Sequence, residues 1–117
     1  MDEYLGTIKA FAFNYAPRGW AVCAGQLLSI SQNSALFSLL GTTYGGDGVR
    51  TFQLPDLRGR SLEGVGQAPG HDPVEMGKEY GGQKVELSED AAKACETQGA
   101  VGINYCICLM GIYPPRN

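Results

Sequence analysis

Histidine is almost missing from this 117-residue chain, with His71 its single instance. Imidazole is the usual carrier of protons near neutral pH and a common zinc ligand, so chemistry that needs two or more histidines is excluded. No apolar stretch approaches the ~20 residues that a membrane-crossing helix requires, which excludes a helical anchor and membrane insertion. Positive charge is scarce too: nine lysines and arginines face twelve acids, for a net charge of -3. Binding along a phosphate backbone needs a basic face, so nucleic acid is not an expected partner. The start, Met1-Asp2-Glu3, lacks the basic segment and apolar run of a signal peptide. Cytoplasmic synthesis without a cleaved leader is expected, with any exit as part of a larger particle.

What remains is one ordinary domain's worth of chain, 44% hydrophobic and 18% charged, able to bury a real core. The unusual component is glycine. Of 17 glycines, 11 lie between Gly41 and Gly82, about twice the usual fraction overall. They divide the chain into three parts without dividing it into domains.

The first part predicts strand, hairpin and helix. Residues 4–13 carry Tyr4, Ile8, Phe11 and Phe13 in a strand-like run, and Pro17-Arg18-Gly19 marks a turn. Residues 20–23 and 27–30 read as a short hairpin around Gly25-Gln26. Ser31 is a good N-cap for a helix over residues 32–40, with Gly41 as its stop. In the middle part, Gly45-Gly46-Asp47-Gly48 predicts a tight turn of positive-φ residues. Phe52-Gln53-Leu54 predicts a brief extended segment before Pro55, and residues 64–82 a surface excursion. In the last part, residues 84–87 alternate like an edge strand, and Ser88 caps a short helix ending near Gln98. Residues 101–113 are apolar on both faces, which predicts a central strand paired with the strand of residues 4–13. The fold class expected is α+β: short strands, two short helices and a long glycine-rich central loop region in a single domain over residues 1–117.

Candidate chemistry is thin. His71 sits in a Pro/Gly-rich loop with no serine or cysteine beside it, which fits a solvated loop residue better than a general base. Asp47, Asp56 and Glu63 have no spacing that makes them a catalytic carboxylate pair. Residues 41–48 resemble a phosphate loop only in glycine, since the lysine and following Ser/Thr are missing and Asp47 opposes a phosphate. Cys23, Cys95, Cys106 and Cys108 lack a zinc-type spacing. Cys106 and Cys108 share one strand face and do not readily bond to each other, so the four read as buried reduced thiols. A disulfide involving Cys23 or Cys95 is the alternative. No catalytic residue, metal or cofactor is assigned. The strongest local signal runs from Phe52 through Pro55-Asp56-Leu57-Arg58-Gly59-Arg60. It combines an extended entry, a proline corner, and an acid able to cap the turn and pair with Arg58 or Arg60. A structural corner is the favoured reading over a ligand site.

Three stretches resemble the phage tail collar domain family, which includes short tail fibres of contractile-tailed phages and the microcystin-dependent proteins of bacteria. Ala16-Pro17-Arg18-Gly19-Trp20-Ala21-Val22-Cys23 with Gly25-Gln26-Leu27-Leu28 leads into residues 30–48, which end in Tyr44-Gly45-Gly46-Asp47-Gly48. Residues 52–60 follow the family's F-x-L-P-D-L-R-G-R, and residues 111–117, through Arg116, resemble its closing G-I-F-P-S-R-N. The family-like regions are residues 1–60 and 103–117. The resemblance implies a non-enzymatic structural protein, a homotrimeric hub of a tail fibre or tail-like appendage, virion-associated and in contact with other tail proteins. It also implies that Arg58 and Arg60 meet acids of a neighbouring chain. The chain departs from the pattern where residues 88–98 replace a histidine-containing stretch and a long insert, so no histidine-bound metal is carried over. The competing expectation is a glycan-binding or surface-adhesion module that uses His71, Asp72 and Tyr80 in the loop of residues 64–82.

Overall fold

A computed structural model describes residues 3–80 and 99–116. The order of elements is β1 (Ile8–Phe11), β2 (Trp20–Val22), β3 (Leu27–Ser29), α1 (Ser34–Leu40), β4 (Thr51–Gln53) and β5 (Asn104–Cys108). The strands form two antiparallel sheets, β1-β5-β2 and β3-β4. β5 lies in the middle of the larger sheet, where Ile107 faces Ile8 on one side and Ala21 on the other. The expected pairing of the first and last long apolar runs is therefore present. Backbone bonds extend it: Leu5 N–H donates to the Ile112 carbonyl at 2.8 Å and Ile112 N–H to the Glu3 carbonyl at 2.9 Å.

The core forms where the sheets and helix meet. Leu5, Cys23, Leu36, Phe52, Leu54 and Ile107 are buried there, with Ile8, Leu28, Phe37 and Tyr105 packed around them. Cross-strand partners share a sheet face. Ile8, Ala10, Ala21, Tyr105 and Ile107 thus make the core-facing side of the larger sheet, while Lys9, Phe11, Trp20, Val22, Cys106 and Cys108 make the other.

Three expectations are corrected. The hairpin of residues 20–23 and 27–30 does not exist, because β2 pairs with β5 and β3 with β4. Gly25, at φ 74°, turns the chain out of one sheet and into the other. Gln26 secures that exit, its side chain accepting from Ala24 N–H and donating to the Val22 carbonyl. β2 thereby joins a three-stranded sheet, which is more stable than an isolated hairpin of its own. The helix starts two residues later than expected, at Ser34, and its N-cap is Asn33 rather than Ser31. The Ser31 hydroxyl is held by that of Ser29 at 2.9 Å, and the Asn33 amide donates to the Ser29 carbonyl at 3.0 Å. Gly41 ends the helix as expected, its N–H donating to the Phe37 carbonyl. The regular part of the first strand is shorter than residues 4–13. The expected strand over residues 84–87 and helix over residues 88–98 lie outside the described residues.

Candidate functional site

The glycine loop is built against β4. Gly45, Gly46 and Gly48 have φ of 127°, 93° and 74°. Gly46 passes so close to β4 that a Cβ there would stand 2.5 Å from Phe52 Cα. Between these glycines the Asp47 Oδ1 accepts backbone N–H bonds from Val49, Arg50 and Thr51 at 2.8 to 2.9 Å. Those bonds, that from Thr51 foremost, hold its carboxyl down at about 2, so Asp47 is an ionised loop clamp.

The proline corner is stitched to the chain that leaves β2. Leu57 N–H donates to the Cys23 carbonyl at 3.0 Å and Leu54 N–H to the Gln26 carbonyl at 3.0 Å. Pro55 is buried. At the apex Arg58 grips Asp56 with two parallel bonds of 2.9 Å, from Nε to Oδ1 and from Nη2 to Oδ2. This grip brings the Asp56 carboxyl to about 2. Arg60 does not join that pair; its Nη2 donates to Glu79 at 3.0 Å. Both arginines thus meet acids within their own chain. The Arg58 side chain is 68% exposed, so its pair shapes the corner more than it stabilises the fold.

Cys23, Cys106 and Cys108 are buried free thiols, and Cys95 lies outside the described residues. Burial, with a smaller contribution from Cys106, pushes the Cys23 thiol up to about 12. His71 and Asp72 are exposed in the turn closed by the bridge between Gly66 and Val74. The Tyr80 hydroxyl accepts from Glu75 N–H and donates to the carbonyl of Pro73, the residue after Asp72. Arg116 is exposed near the end of the chain.

The feature that residue-type reasoning missed is an aromatic row that starts on the outer face of the larger sheet and continues past the end of β1. Trp20 meets Phe11 edge-on at a centroid distance of 5.3 Å, Phe11 meets Phe13 at 5.1 Å, and Phe13 meets Tyr15 at 4.8 Å. Phe13 is 41% exposed and Tyr15 62%. The two-residue spacing of Phe11, Phe13 and Tyr15 was the available signal.

The glycine loop, the corner and the whole aromatic row fall inside one matching segment. Residues 6–62 match the family model for the phage tail collar domain. That segment, just under half of the chain, is similar to the phage tail collar domain. Collar domains have a structural role in tail fibres. No curated protein matches the chain. Within the collar segment the tightest geometry serves to fix loops: Asp47 and the Asp56–Arg58 pair are both consumed by bonds inside the chain.

Proposed function

We propose that the chain is a non-enzymatic collar that associates with itself, as a homotrimeric hub of a phage tail or tail-like appendage, and meets other tail proteins there. The observation that carries this reading is the aromatic row. A large apolar surface rimmed by polar residues marks a contact with another macromolecule. Here Phe13 and Tyr15 stand exposed beside Phe11 and Trp20, which lie on the sheet face turned away from the core. The rings tilt against one another by 33° to 82°, presenting a ridged apolar surface suited to side-chain packing. Sedimentation equilibrium of the purified chain tests it: a trimer is expected, and Phe13→Ser with Tyr15→Ser shifts it to a folded monomer. A wild-type monomer at tens of micromolar protein overturns the reading. Arg58→Glu checks a separate contribution, because a trimer left intact removes any role for Arg58 between subunits. Glycan-array binding lost on deleting residues 64–80 would instead favour the adhesion-module reading.

A further inference from the structure

A turn sets the outer loop of residues 64–80 against the residues that enter the glycine loop. Glu75-Met76-Gly77-Lys78 form it, closed by Lys78 N–H donating to the Glu75 carbonyl at 3.2 Å. Gly77, at φ 79°, approaches Thr43 so closely that a Cβ there would stand 2.8 Å from the Thr43 carbonyl oxygen. Beside this contact the Tyr44 hydroxyl donates to Met76 Sδ at 3.7 Å. A thioether sulfur is a weak acceptor, so this second tether is slight.

Met76 is 63% exposed, within reach of a dissolved oxidant. The separation of sulfur and hydroxyl suits the oxidised side chain better than the native one. A sulfoxide oxygen about 1.5 Å from sulfur and about 2.7 Å from the hydroxyl closes that triangle at about 120°, the direction of an acceptor lone pair. Sulfur therefore need not move. In a core the added polarity would disrupt packing, but at this exposed position the oxygen buries nothing.

We propose that Met76 is a methionine-sulfoxide site at which a peroxide clasps the outer loop to the glycine loop through Tyr44. The sulfur lone pair attacks one oxygen of hydrogen peroxide, the O–O bond breaks and an S–O bond forms. The departing oxygen takes the second proton and leaves as water, so sulfur is oxidised and the peroxide reduced. Of the two sulfoxide epimers, the one whose oxygen turns toward Tyr44 accepts its O–H. All these groups belong to one chain, so the inference survives or fails separately from self-association.

The test treats the full isotope-labelled chain with dilute hydrogen peroxide, locates the sulfoxides by peptide mass spectrometry, and follows amide exchange by NMR. The Lys78 amide, which closes the turn, is expected to gain a resonance that exchanges about fivefold slower, the scale of one neutral hydrogen bond. Tyr44→Phe keeps the ring and removes the donor, and should abolish the slowing while Met76 still oxidises. Met76→Leu controls for the other methionines, including Met110 at 78% exposure, and should show no slowing after the same treatment. Met76 left intact while Met110 reacts, an unslowed Lys78 amide in the oxidised wild type, or equal slowing in either variant overturns the proposal.

Discussion

Gly46→Ala should destabilise the domain far more than Gly59→Ala, although both glycines have positive φ. Gly59 sits at φ 69° with nothing within 4 Å of the place a Cβ would occupy, so alanine there meets conformational strain alone. That strain is about 1–2 kcal/mol. Gly46, at φ 93°, adds a collision: its Cβ would stand 2.5 Å from Phe52 Cα and 2.8 Å from the Thr51 carbonyl oxygen. These are backbone atoms, and Phe52 is fully buried, so β4 cannot step aside without moving the core. Adding an overpacking cost of about 1–3 kcal/mol brings Gly46→Ala to about 2–5 kcal/mol. Urea unfolding followed by the fluorescence of Trp20, the chain's one tryptophan, measures both variants against wild type. Equal losses in the two variants would refute the argument that close approach to β4, and not φ alone, demands glycine at position 46.

Acid should act through two carboxylates. Asp47 and Asp56 both titrate at about 2 in the folded chain, below the ordinary aspartate value near 4. A lowered folded pKa contributes stability that is present above the unfolded value and lost as pH falls toward the folded one. Thermal stability is therefore expected to drop between about pH 4 and pH 2, and Asp47→Asn with Asp56→Asn to flatten the curve in that window. An unchanged profile in the double variant would refute the assignment. In the alkaline direction, the Cys23 thiol stays protonated well past its usual range, since burial raises it to about 12. Iodoacetamide at pH 8 should leave Cys23, Cys106 and Cys108 unmodified in the native protein and label all three in urea, as read by peptide mass spectrometry. Rapid native labelling of Cys23 would contradict its burial.

Turn chemistry was legible because it is local. The φ values of Gly45, Gly46 and Gly48, the stop at Gly41, and the pairing of Asp56 with Arg58 follow from residue type and spacing over a few positions. The helix start was less legible, since Ser31 and Asn33 are both acceptable caps. The competition was settled by bonds to Ser29 that depend on where β3 ends. The aromatic row was half legible: Phe11, Phe13 and Tyr15 alternate, but their exposed face could be assigned only after β5 had taken its place beside β1.

By itself the sequence determined the glycine loop, the proline corner, the collar-type motif and the joining of the two apolar ends. Tertiary structure alone decided which strands pair across the middle, sending β2 to β5 and β3 to β4. It also decided which acid each arginine meets, with Arg60 reaching Glu79, nineteen residues away. The division has a physical basis. Turns and caps are governed by the dihedral preferences and hydrogen bonds of neighbouring residues, whereas strand partners and long-range ion pairs are chosen by burial over the whole chain.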